Sequence, residues 1–198
     1  VSAIRSTKYL RILGVSVLTV VAGIGLWQVF APKPSASLEG FGTVTPGEVA
    51  ATELVNQDHQ VLVADSLKGQ VWLVNFFFTS CSGPCPLMTS KMALIMKKFP
   101  QLHALSITSD PETDTPEVMK TYASKYDADL GRWHFARGEE SRVKHFAVQI
   151  LKLPLGEEPD SHSARIALID RRGQLIGWYD SQDQQALTQL AADVASSL

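Results

Sequence analysis

Two cysteines stand four positions apart in Phe78-Thr79-Ser80-Cys81-Ser82-Gly83-Pro84-Cys85-Pro86, and the chain has no others. Two sulfurs are too few for a closed tetrahedral zinc site or a four-thiolate iron–sulfur cluster. They suit Cu(I), a soft ion that thiolates favour over hard cations, with an imidazole as the natural third ligand. They also suit a disulfide: residues i and i+4 of a helical turn lie about 6 Å apart, inside the ~4.4–6.8 Å window for bridged Cα atoms. A purely structural bridge is the plainer reading of a bare CxxxC. A bridge closing so short a loop, however, contributes less stability than a long-range one.

The surroundings of the pair favour chemistry. Gln70 to Phe78 is β-branched, aromatic and almost continuously apolar, the pattern of a strand buried on both faces. Gly83 and Pro84 then turn the chain into an apolar helical stretch. Ligand sites of α/β sheets lie at such carboxyl ends of strands. The positive end of the helix dipole lowers cysteine pKa values, so both thiols are expected to ionise near neutral pH.

The third ligand must come from His59, His103, His134, His145 or His162. His134 lies within an apolar strand and reads as core, His145 lies in a helix and reads as solvated, and His103 precedes a strand. His162, in Asp160-Ser161-His162-Ser163, follows a flexible loop and directly precedes the strand Ala164 to Asp170. Topology therefore favours His162.

The elements that must position these residues follow the order β-α-β-α-β-α-β-β-α. Val61 to Val63 reads as a short edge strand and Gln70 to Phe78 as the buried one. Leu87, Met88, Met92, Leu94, Ile95, Met96 and Phe99 form a broad apolar helix face that Pro100 stops. Leu102 to Thr108 is a strand, and Ser109 to Thr115 a turn-rich loop. Thr115 caps a helix with Pro116 at its first position, running to about Tyr126. Trp133 to Phe135 is a strand, and Glu139 to Val148 a helix burying Val143, Phe146 and Ala147. Pro154 to Ser161 is a loop. Ala164 to Asp170 and Gln174 to Tyr179 form a hairpin around Arg171-Arg172-Gly173. Ser181 with Gln184 has the capping-box pattern for a last helix bearing Leu187, Leu190, Ala191 and Val194. A parallel core ending in a hairpin and helix is a thioredoxin-like α/β sandwich with a mixed central sheet.

The first forty residues differ from the rest. Arg5, Lys8 and Arg11 precede an apolar run from Ile12 to Phe30, and Lys33 follows it. A membrane-spanning helix needs roughly 20 apolar residues, so residues 12–30 read as one N-terminal transmembrane anchor. The cationic flank predicts a cytoplasmic stretch at 1–11 and an exported remainder. A cleavable signal peptide ending near Val29-Phe30-Ala31 is the alternative. Residues 31–43, with Pro32, Pro34, Ser35 and Ser37, form a stiff polar linker, and 44–198 form the domain. The formal charge of -2 resolves accordingly: without the four cations of the first 38 residues, 14 Lys+Arg face 20 Asp+Glu, a net of -6. Such a chain is not a generally basic nucleic-acid binder. It is expected in the inner (cytoplasmic) membrane as a single-pass protein, its domain on the periplasmic side.

Taken together, the chain resembles the SCO/SenC family of membrane-anchored, thioredoxin-like copper chaperones of cytochrome c oxidase assembly. The resemblance rests on Val71 to Cys81, then Cys85-Pro86, Ser109-Asp-Pro-Glu-Thr-Asp-Thr-Pro-Glu117, Trp133-His-Phe135 and His162 to Asp170, in that order. It implies one copper ion per chain held by Cys81, Cys85 and His162. It also implies delivery of that copper to the dinuclear copper centre of an oxidase subunit, with an upstream copper chaperone as a further partner. Two departures stand out: Ser82 where many members carry Pro after the first cysteine, and Ser161 where many carry Asp before the histidine. Neither removes a ligand, and both bear on copper affinity and disulfide potential.

A second reading is a thiol–disulfide oxidoreductase that keeps the oxidase's copper-ligand cysteines reduced, Cys81 attacking and Cys85 resolving. It needs the redox-active pair but not His162. A third, a peroxidase-like relative, would need a lone activated cysteine backed by groups such as Thr79 and Arg165, and the paired cysteines argue against it.

Overall fold

The buried strand expected at Gln70 to Phe78 is the second strand of a six-stranded sheet. The computed structural model describes residues 43–62, 68–153 and 164–198. In chain order the elements are α1 (Pro46–Ala51), β1 (Val55–Asn56), β2 (Trp72–Phe77), α2 (Pro84–Lys98), β3 (His103–Thr108) and α3 (Pro116–Ser124). There follow β4 (Trp133–Arg137), α4 (Glu140–His145), a π-helical turn (Phe146–Ile150), β5 (Arg165–Ile169), β6 (Leu175–Asp180) and α5 (Gln184–Ser197). The strand order is β1-β4-β3-β2-β5-β6. Strands β2, β3 and β4 are parallel, while β5, β6 and β1 pair antiparallel to their neighbours, so the sheet is mixed.

Alternation along β2 explains its unbroken apolar sequence. Leu73 and Phe77 face a core formed with Met88, Met92 and Met96 of α2, Met119 and Tyr122 of α3, and Leu190 and Val194 of α5. Trp72 and Val74 face the opposite core, closed by Val49 of α1, Val143 of α4 and Phe146. Both faces of the strand are therefore buried, as a central strand of a covered sheet requires.

Helix boundaries follow local chemistry. Thr115 caps α3, its hydroxyl accepting from the Val118 N–H at 3.4 Å, with Pro116 at the first position. At the other end of α2, the Arg132 guanidinium donates to the carbonyls of Met96 (3.0 Å), Phe99 (3.3 Å) and Leu102 (3.0 Å). Those carbonyls have no partner within the helix, and a cation there also complements the helix dipole.

Several expectations are corrected. Val61 forms only an isolated bridge to Val55, because the edge strand of the sheet is β1; Val63 lies outside the described residues. The apolar face of α2 is narrower than its composition suggests, since Leu87 and Leu94 are 46% and 64% exposed. The cap of α5 is Asp183, whose carboxylate accepts from the Gln185 N–H at 2.8 Å. Ser181 is instead buried just after β6, its hydroxyl making no cap bond. The helix expected to reach Val148 changes at Phe146 into a π-helical turn. His134 is half-buried rather than core, its ring stacked on Trp72 at 6.1 Å.

The described residues fall in the compact unit Ser35–Leu198. None of their helices is long and apolar enough to cross a membrane. The span expected at 12–30, the linker up to residue 42 and the loop Pro154 to Ser161 lie outside the described residues.

Candidate functional site

Strand β2 ends at Phe77 and α2 starts at Pro84, so a six-residue turn holds Cys81 and leads into the helix that carries Cys85. The end of β2 is fixed to the end of β3: the Phe77 carbonyl accepts from the Ser109 N–H at 2.8 Å. Cys81 lies in the turn, its N–H donating to the Phe78 carbonyl at 3.2 Å, while Cys85 lies in the first turn of α2. The pair therefore joins a loop to a helix, rather than occupying one helical turn as the i, i+4 spacing suggested. Both cysteines are free thiols, and Cys81 is near enough to act on the Cys85 thiol. Cys81 is 9% exposed and Cys85 1%. A side chain at Gly83 would begin 3.9 Å from the Cys81 sulfur, so glycine there leaves that sulfur approachable.

Burial pushes the Cys85 thiol up to about 12, and the neighbouring Cys81 thiol acts in the same direction. The expected ionisation of both thiols near neutral pH is thus corrected for Cys85. Desolvation of the anion outweighs the helix dipole at a sulfur removed from water. In the metal-free reduced state Cys85 holds its proton, and binding a soft cation there must release it.

The turn is braced by a carboxylate whose role was not read from the sequence. Asp114 is fully buried. It accepts from the Thr79 N–H at 3.3 and 3.1 Å, from the Thr79 hydroxyl, and from the hydroxyl of Thr108 at the end of β3. The Thr108 oxygen in turn accepts from the Asp110 N–H at 3.0 Å. The signal available was the Asp-Pro-x-x-Asp spacing within Ser109 to Thr115, but nothing in a linear reading paired it with Thr79. A second brace reaches Cys85. The Thr89 hydroxyl lies 2.9 Å from the Cys85 carbonyl and 3.0 Å from the Tyr122 hydroxyl, and Tyr122 stacks on Phe77 at 5.1 Å. Burial raises the Tyr122 phenol, so it stays protonated as a donor.

Of the groups named for a peroxidase-like site, the Thr79 hydroxyl serves Asp114, and Arg165 is exposed. His145 is exposed. His103 and His134 flank Trp72 on β3 and β4, on the sheet face opposite the cysteines. Among the described residues no third His, Cys, Asp or Glu joins the pair to form a metal-binding group. His162 lies outside the described residues.

Fold and site together define a thioredoxin-like α/β domain with a dithiol at its strand-to-helix turn. Residues 46–198 match the SCO1/SenC family model, well over half of the chain, and the chain belongs to that family. It is 31% identical over 159 residues to the SCO1 protein homolog of Bacillus subtilis (strain 168), covering 76% of this chain and 82% of that protein. Among solved structures it is similar to BsSco, described with a disulfide switch and as a member of the Sco family of cytochrome c oxidase assembly proteins. The TM-score is 0.63 at 29% identity, over 73% of this chain and 89% of that one. It is also similar to Bradyrhizobium japonicum ScoI with copper bound, with a TM-score of 0.56 at 27% identity, over 73% and 96% of the two chains.

Proposed function

We propose that this protein is a copper-binding assembly factor that delivers one copper ion to the dinuclear copper centre of cytochrome c oxidase. The observation that carries this reading is the pair of adjacent thiols at the start of α2, held by buried braces on both sides. Two thiols form a soft donor set, incomplete for zinc and suited to Cu(I) as cargo. A relative of this fold holds copper, and another belongs to a family of oxidase assembly proteins.

His162 is the proposed third ligand. The antiparallel register that sets Val74 opposite Ala167 brings the start of β5 to the end of the sheet where β2 delivers the cysteine turn. Arg165, the first residue of β5, is three positions beyond His162. Short connection and shared sheet end both favour His162 over the other histidines.

The anchor at residues 12–30 and the domain at 44–198 belong to the same proposal. A single-pass tether in the inner membrane would hold the domain on the periplasmic side and raise its effective concentration toward an oxidase subunit in that membrane. An upstream copper chaperone would supply the cargo.

The test is metal analysis of the reduced, copper-loaded chain. The parent is expected to retain about one copper, while Cys81→Ala and Cys85→Ala lose it and His162→Ala retains it more weakly. Undiminished copper in Cys81→Ala would refute the proposal. A thiol–disulfide role is favoured by the two neighbouring free thiols and by the greater exposure of Cys81, which suits an attacking sulfur. If His162→Ala loses copper yet still supports oxidase assembly, the redox role is the main one.

A further inference from the structure

On the sheet face opposite the cysteines lies a cavity of about 250 Å³. Its floor is made by Val49, Trp72, Val74, Leu105, Phe146 and Ile169, all buried. Its mouth carries Lys68, Arg171 and Arg172, all exposed. The one acid among the lining residues, Asp170, is engaged in its own turn: it accepts from the Arg172 N–H at 2.8 Å, the Arg172 Nε at 3.1 Å and the Gln174 N–H at 2.9 Å. Arg171 has no carboxylate partner among the described residues.

One wall is the segment Val44–Thr45, which is fastened in place. The Val44 N–H donates to the Gly173 carbonyl at 2.7 Å, and Thr43 bridges to Gln174. Gly173 has φ 79°, and a Cβ there would fall 2.3 Å from the Val44 carbonyl oxygen.

We propose that this cavity binds a small anionic amphiphile, with its apolar tail on the Trp72–Phe146 floor and its carboxylate or phosphate head at Arg171. The floor side chains are apolar apart from the indole N–H of Trp72, and small-molecule sites are lined in this way, mostly by apolar and aromatic side chains with a few polar groups. The volume exceeds the ~150 Å³ cavity that accommodates benzene. It falls short of the ~300–1,000 Å³ of drug-sized pockets. The ligand therefore has about ten non-hydrogen atoms in the cavity, the size of a medium-chain carboxylate or of one acyl end of a short anionic lipid. Cationic side chains over apolar surface fit such a molecule at both ends. The site shares no residue with the dithiol turn, so this inference stands apart from the copper reading.

The test uses the full chain in phosphatidylcholine nanodiscs and a photoreactive eight-carbon carboxylate carrying a terminal diazirine, with labelled positions mapped by mass spectrometry. Labelling is expected on the peptides of Trp72–Val74 and Phe146. Octanoate should suppress it at least tenfold more effectively than octanol. If dioctanoyl phosphatidylglycerol competes instead of octanoate, the occupant is a lipid tail rather than a free acid, and the site stands. Arg171→Glu should reduce labelling at least fivefold, as should Val49→Phe, which fills the floor. Circular dichroism checks each variant, and the surface substitution Arg171→Glu decides the matter alone if Val49→Phe fails to fold. Labelling spread over the surface, unaffected by Arg171→Glu, or equally suppressed by octanol overturns the proposal.

Discussion

The buried carboxylate of Asp114 holds Thr79 by its N–H and its hydroxyl, two residues ahead of Cys81. Removing it strands the Thr79 N–H and the Thr79 and Thr108 hydroxyls at once. Asp114→Ala is therefore expected to destabilise the fold by about 3 kcal/mol, measured as a lowered urea midpoint. Asp114→Asn keeps one accepting oxygen and should lose less. Wild-type stability in Asp114→Ala would show that the brace contributes nothing.

The two cysteines differ in access. Alkylation of the reduced, metal-free protein with iodoacetamide at pH 8 is expected to modify Cys81 at least ten times faster than Cys85. Cys81 is the more exposed of the two, and burial holds Cys85 in its protonated form. Peptide mapping over a time course reads the order, and equal rates would contradict it.

Stability should depend on pH through His134 and His103. Burial lowers the pKa of His134, with His103 acting in the same direction and Asp58 opposing. Burial also lowers that of His103, helped by Arg132 and opposed by Asp129. The unfolded chain then binds more protons than the folded one as pH falls through the ordinary histidine range. Stability is full above about pH 6.5 and declines as pH drops toward the folded values. The thermal midpoint should be lower at pH 5 than at pH 7, and His134→Phe should shrink that difference. A pH-independent midpoint would count against neutral, half-buried histidines.

Gly173 is the turn between β5 and β6 and the seat of Val44. Gly173→Ala combines a left-handed backbone with a clash against carbonyl oxygen, so a loss of about 2–3 kcal/mol is expected. Hydrogen exchange should locate it, with protection lost first at the Val44 amide.

How much of this was legible beforehand depended on range. Local rules read well: the apolar run of β2, the Thr115 cap with Pro116, the hairpin turn Arg171-Arg172-Gly173 and the position of the cysteines at a strand-to-helix turn follow from neighbours in sequence. The cap of α5 was misplaced because Ser181 and Asp183 compete locally, and only the folded structure, with Ser181 buried just after β6, decides between them. Leu87 and Leu94 looked like core for the same reason, since composition does not say which side of α2 meets the sheet.

By itself the sequence determined that two thiols stand four positions apart at a strand-to-helix turn, with a family resemblance that the match to residues 46–198 bears out. Only the tertiary structure decided the protonation of Cys85, the bond from Asp114 to Thr79 across 35 positions, and the cavity under Val44 and Gly173. Each depends on desolvation or on contact between residues distant in the chain. Those quantities exist only once the sheet has brought β2, β3 and β5 side by side.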